Sequence, residues 1–165
     1  MILDEKKGDL LDAKEAFIAQ QCNCVTIKSH GLSAAIAKRW PWADVYAKRK
    51  PKSANTALEP DTPGTIQIIK GPDADSHSVV CLFAQWTPGK PGAWTDKYPK
   101  THDDTTAAQR SEWFRQCLKA MDDCEEIDGP VAVPYQIGCG LAGGNWSTYK
   151  AVLQEAKTEF VIYQL

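Results

Sequence analysis

The chain has 165 residues, 43% hydrophobic and 24% charged, an ordinary balance for one globular domain over residues 1–165 with a real core. A formal net charge of −2 and a sequence pI near 5.9 give no support to binding of a nucleic acid backbone, which needs a basic face. No stretch approaches the roughly 18 apolar residues of a membrane span, and the opening MILDEKKGD lacks the pattern of a signal peptide, so a soluble protein is expected.

In chain order, residues 1–3 open a strand, residues 4–7 form a polar link, and Gly8-Asp9 turns the chain. Residues 16–21 (AFIAQQ) read as a short strand entering Cys22-Asn23-Cys24, and residues 25–32, without a period, as a loop. Ser33 is placed to cap an alanine-rich helix over 34–39, with Ile36 and Trp40 on one face. Pro41 stops that helix or opens another over 41–50, with Val45 and Tyr46 as its buried side. The basic run 48–52 (KRKPK) reads as a solvated helix end. Residues 53–63 are loop. Residues 64–70 (GTIQIIK) and 78–85 (SVVCLFAQ) then form a hairpin about Gly71-Pro72-Asp73, the antiparallel part of a mixed sheet.

Residues 86–104 hold three prolines, two glycines and no period; so long an irregular segment in a compact domain is functional or mobile. Residues 105–124 read as an amphipathic helix with Phe114, Cys117, Leu118, Met121 and Cys124 on one stripe and Asp103 and Asp104 near its start. A strand over 131–133, a helix over 146–157 and a strand over 159–165 complete the chain. This alternation predicts an α/β sheet covered on both faces. The six cysteines form no CxxC pair and the three histidines are scattered, which argues against a zinc cluster and for small core residues in a reducing compartment.

The strongest chemical signal is 131–146, VAVPYQIGCGLAGGNW: a strand, a four-glycine loop and a helix start. Backbone N–H groups converge readily on an anion in such a loop, and the helix dipole adds to the attraction. It is no P-loop, since no lysine lies between 131 and 149, and its spacing misses GxGxxG. A tight turn without a ligand would use the same composition.

Together with Gly8-Asp9-Leu10-Leu11, Gln21-Cys22-Asn23-Cys24, Gly31-Leu32-Ser33-Ala34-Ala35-Ile36-Ala37 and Val161-Ile162-Tyr163-Gln164-Leu165, this loop forms an ordered series over nearly the whole chain. The series resembles the macrodomain family, and most of all its branch related to ADP-ribose-1''-phosphate phosphatases and ADP-ribosyl-glutamate hydrolases. The resemblance implies a three-layer α/β/α sandwich with a mixed central sheet, and an ADP-ribose pocket at the strand C-termini. It implies no metal and no cofactor, and a cytoplasmic monomer whose partner is ADP-ribose or a derivative is expected. It further implies that Asp9, with Leu10 beside it, meets the adenine amino group and that Asn23 orients the distal ribose. Gly31, Leu32 and Ser33 would face a phosphate, and Gly138, Cys139, Gly140, Leu141, Ala142, Gly143 and Gly144 would wrap the diphosphate and distal ribose. Plainer readings stand beside these: Asp9 capping a turn, Asn23 bridging its own loop, and Tyr135 or Phe83 in the core rather than against the ligand.

The chain also departs from that branch. The glycine triplet before the first helix is reduced to Gly31, and the lysine and aspartate of the glutamate hydrolases are replaced by Gln85 and Ala142. Neither supplies a lysyl adduct or a carboxylate base. Phosphoryl release relies on positioning and electrostatics, so the expected activity is hydrolysis of ADP-ribose 1''-phosphate. His30 is then the candidate acid or base, because imidazole as a side-chain type changes charge near neutral pH. Lys28 would counter phosphate charge, Gln85 would orient the water or a ribose hydroxyl, and Trp94 and Tyr98 would cover the adenine or the mouth of the site. Otherwise His30 and Lys28 are exposed loop residues, and the two aromatics merely anchor a long loop. An ADP-ribosyl hydrolase acting on macromolecules and a non-catalytic ADP-ribose reader are the rival functions.

Overall fold

The computed structural model describes residues 1–165. Its strands are β1 (Ile2–Lys7), β2 (Phe17–Asn23), β3 (Ile66–Lys70), β4 (Ser78–Gln85), β5 (Val131–Pro134) and β6 (Phe160–Gln164). Its helices are α1 (Leu32–Arg39), α2 (Ala107–Asp122) and α3 (Trp146–Glu155). The strands form one mixed sheet in the order β1-β6-β5-β2-β4-β3, parallel throughout except for the antiparallel β3–β4 pair. The expected hairpin is that exception.

Strand periodicity explains the layers. Val131 and Val133 of β5, with Phe160 and Ile162 of β6, enter the large core that holds Phe114, Cys117 and Leu118 of α2 and Tyr149 and Leu153 of α3. Their alternates Ala132, Val161 and Tyr163 face the other way, against Leu10 and Ala13, with Leu32 and Trp40 packed on. Period-2 alternation thus puts apolar residues on both faces, and helical layers cover both.

Several boundaries differ from the sequence reading. β1 runs on to Lys7, because an edge strand needs only backbone pairing with β6 and its outer residues stay solvated. Ser33 does not cap α1: the helix starts at Leu32 behind Gly31, and Ser33 is buried with its hydroxyl donating to Gln20 Oε1 at 2.6 Å. No helix covers 41–50. A single 3-10 turn, Pro41–Ala43, is followed by irregular chain, although Val45 and Tyr46 are buried as expected. Helix α2 starts behind Thr106, whose hydroxyl accepts the Gln109 N–H at 3.1 Å, and Cys124 lies beyond its end. Helix α3 ends at Glu155, and Asn145 caps its start. No helix is long and apolar enough to cross a membrane.

The strand order sets the site. β2 lies between β5 and β4, and the chain leaves β2 toward α1 and β5 toward α3. A crevice opens at the C-terminal ends of strands where connections diverge in this way.

Candidate functional site

That crevice is a cleft of about 300 Å³, bounded by Asn23 at the end of β2, Gln85 at the end of β4 and Pro134 at the end of β5. Lys28, His30 and the start of α1 form one lip; Gly138, Gly140, Leu141 and Ala142 form the other.

Asn23 is over-determined by its surroundings. Its N–H donates to Tyr46 Oη at 3.0 Å, and its Oδ1 accepts from Val25 N–H (3.0 Å), Thr26 N–H (2.9 Å) and the Thr26 hydroxyl (3.1 Å). Asn23 therefore does bridge its own loop, through the oxygen. Its Nδ2 makes no hydrogen bond within the protein and is not among the buried orphan atoms, so it is available in the cleft that Asn23 lines.

The floor is a neutral hydrogen-bond chain. Gln21 Nε2 donates to Gln85 Oε1 at 2.9 Å, and Gln85 Nε2 donates to the Thr87 carbonyl at 2.9 Å. That orientation leaves Gln21 Oε1 buried without a donor. Gly138 packs directly against it. With φ +75° and a hypothetical Cβ 2.6 Å from Gln21 Oε1 and 2.5 Å from Tyr149 Cε2, only glycine fits. Burial pushes the Tyr149 phenol up to about 12, and burial likewise raises Tyr46 well above the ordinary tyrosine range. Both stay neutral near pH 7. Burial lifts the Cys139 thiol to about 11, so it is no nucleophile. No carboxylate lines the cleft; its charge-bearing side chains are Lys28 and His30, both exposed.

The two lips meet at Gly31, whose φ of +56° suits glycine and where a Cβ would lie 3.2 Å from Leu141 Cδ1. Behind Gly31, the first-turn N–H groups of α1 have no intrahelical acceptor and offer donors to an anion. Across the cleft, Arg110 of α2 ties two lining loops together. It pairs with Asp104 (Nε–Oδ1, 2.6 Å), with both side chains buried, and donates to the carbonyls of Gly89, Thr87 (3.1 Å) and Ala142 (3.2 Å). Asp104 also accepts from the N–H groups of Trp86 (3.0 Å) and Thr87 (2.6 Å).

Of the residues singled out from sequence, the fold gathers Asn23, Lys28, His30, Gly31, Leu32, Ser33, Gln85, Tyr135, Gly138, Gly140, Leu141 and Ala142 around this one cleft. Others lie outside its walls. Asp9 caps a 3-10 turn, accepting the Leu11 N–H at 2.9 Å, and Leu10 is buried in the smaller core. The Cys139 thiol donates to the Ile137 carbonyl, Gly143 packs on the Lys90 stem, and Gly144 sits against Gly138 and Tyr149. Phe83 is core. Trp94 and Tyr98 do not reach the cleft; Pro88 and Gly89 of the same loop do. Gln85 lines the cleft with both ends of its amide engaged, so it acts as a fixed wall. Sequence reasoning missed Gln21, Tyr46, Arg49, Asp104 and Arg110. Gln136, a non-glycine at φ +59° on the cleft wall, likewise left no sequence signal.

No family model and no curated protein matches the chain. Solved structures do. The macrodomain of Mycobacterium tuberculosis DarG superposes with a TM-score of 0.67 at 19% identity, over 99% of this chain and 97% of that one. The macrodomain of Thermus aquaticus DarG gives 0.64 at 18% identity, over 99% and 97%. A variant of the Oceanobacillus iheyensis macrodomain with ADPR gives 0.59 at 13% identity, over 98% and 83%. At these identities the likeness is one of fold, and it covers nearly the whole chain: the chain has the macrodomain fold.

Proposed function

We propose that this cleft binds ADP-ribose. The observation that carries the reading is the Asn23 side-chain amide: its oxygen accepts three hydrogen bonds from Val25 and Thr26, and its amino group is left unpaired in a cleft with a neutral floor and two amide-rich lips. A ribose supplies hydroxyl oxygens for that amino group, and a diphosphate suits the glycine loop and the α1 N-terminus. The macrodomain of Oceanobacillus iheyensis carrying ADPR on the same fold supports this ligand class. Calorimetric titration with ADP-ribose is the test, and no binding at millimolar ligand would overturn the proposal.

The finer reading is hydrolysis of ADP-ribose 1''-phosphate. Water attacks phosphorus, the bond from phosphorus to the anomeric oxygen breaks, and phosphate and ADP-ribose leave. His30 takes the proton from the attacking water and returns it to the leaving anomeric oxygen, and Lys28 counters the phosphate charge. Gln85 has no part in the proton transfer; its amide orients Gln21. Replacing His30→Ala should leave ADP-ribose affinity within twofold and lower phosphate release about 100-fold or more. A variant with full turnover removes His30 from the reaction. The absence of a carboxylate from the cleft favours a second reading, a non-catalytic ADP-ribose reader. It predicts wild-type binding without phosphate release.

A further inference from the structure

The basic run 48–52 is not uniformly solvated, for its second residue turns inward. The Arg49 side chain is only 5% exposed, with Nε and Nη2 on Asp61 Oδ2 at 3.0 and 2.8 Å. Two further donors go to backbone carbonyls, Nη1 to Thr26 and Nη2 to Asn23, each at 2.7 Å. The guanidinium lies 4.7 Å from the centre of the Tyr46 ring, and Tyr46 Oη accepts the Asn23 N–H. Arg49 thus grips both ends of the 23–26 turn, whose N–H groups at Val25 and Thr26 hold Asn23 Oδ1. Asp61 anchors the same turn from the other side, its N–H donating to the Cys24 carbonyl at 3.0 Å. Arg49 itself does not face the cleft.

We infer that Arg49 is a positioning residue for the binding site. By clamping the carbonyls of Asn23 and Thr26 it fixes the turn that aims Asn23 Nδ2 into the cleft, and it acts on the ligand only through Asn23. The flat, forked guanidinium is what the geometry requires: it meets two carbonyls and a carboxylate while stacking on an aromatic ring. A lysine ammonium, a compact point charge, cannot span them. The inference rests on the ADP-ribose reading for its ligand but not for its geometry.

The test is a double-mutant cycle of Arg49→Gln and Asn23→Ala, read by ADP-ribose titration with folding checked by circular dichroism. Arg49→Gln is expected to weaken binding about tenfold in the wild-type background and less than twofold in the Asn23→Ala background, with Arg49→Lys falling between wild type and Arg49→Gln. Equal losses in both backgrounds would overturn the inference. Amide hydrogen exchange gives an arm without ligand. Arg49→Gln should speed exchange at Val25 and Thr26 about tenfold and leave Val80 in the sheet core unchanged. Unchanged protection at Val25 and Thr26 would also overturn it. If Arg49→Gln does not fold, Arg49→Lys carries both measurements. If the wild type does not bind ADP-ribose, the functional reading fails and the exchange arm alone decides the role of Arg49.

Discussion

Gly138 shows how narrowly one residue is constrained at this site. Its φ of +75° already disfavours any side chain, and a Cβ would strike the Tyr149 ring and the orphan oxygen of Gln21. Gly138→Ala should therefore cost about 2–4 kcal/mol, read as a lower urea midpoint, because neither the packed ring nor the tethered amide can retreat freely. Gly140 belongs to the same loop but has nothing within 4 Å of a Cβ and no left-handed φ, so Gly140→Ala should stay within about 0.5 kcal/mol of wild type. In sequence the loop glycines look alike. Their difference arises from Tyr149 and Gln21, neither a chain neighbour, which composition cannot register. Asn23, by contrast, is singled out by the resemblance to the macrodomain family, which places an asparagine after the second strand; its own residue type leaves a loop-bridging role equally open.

The decisive elements are loops held by helix α2. Arg110 and Asp104 form a fully buried ion pair that suspends the 87–89 and 142 segments from one guanidinium. Arg110→Met should cost about 3–5 kcal/mol, because Asp104 is left as an uncompensated buried charge. Adding Asp104→Leu should recover part of that loss, and urea denaturation of the three proteins measures both effects. No recovery would mean that the hydrogen bonds to the loop carbonyls, rather than the lone charge, dominate. Sequence reading set Asp104 at a helix start to complement the dipole and gave Arg110 no role. Six residues apart, the two are not helix-face neighbours, and only the return of the 86–104 segment onto α2 brings them together. The 41–50 region failed for a related reason. Its proline suits the first position of a helix, but Tyr46 and Arg49 are recruited to hold Asn23, and that tertiary demand overrides local propensity.

Across the whole molecule, Asp122 joins the end of α2 to the entry of β6. Its carboxylate accepts from the Lys157 N–H (3.0 Å), the Thr158 N–H (2.8 Å) and the Thr158 hydroxyl (2.7 Å). Burial pushes its pKa up, but these hydrogen bonds, with the Met1 ammonium nearby, outweigh it, and the net shift is downward. A carboxylate lowered on folding contributes stability that is complete above its unfolded pKa and is lost as pH falls through the folded value. Asp122→Asn should thus be less stable than wild type at pH 7, with the gap closing as pH drops below about 4. Thermal melts at pH 7 and pH 3 measure the two gaps. A gap that stays constant would show that Asp122 contributes through packing rather than charge.

At this same scale the division of labour is clear. Local sequence was sufficient for the layered α/β plan, the β3–β4 hairpin, the buried stripe of α2 and the strand–glycine–helix stretch at 131–146, because periodicity, turn residues and glycine content act over a few neighbouring residues. Only the tertiary structure decided which of the candidates share a cleft. It put Asp9 at a 3-10 turn and Leu10 in the smaller core, turned Arg49 and Arg110 inward, and left the Asn23 amino group and the Gln21 oxygen unpaired. Those outcomes depend on strand order and on hydrogen bonds between residues far apart in the chain. The chemistry of the 138–144 loop is accordingly shaped as much by what lies beneath and behind it as by its own glycines.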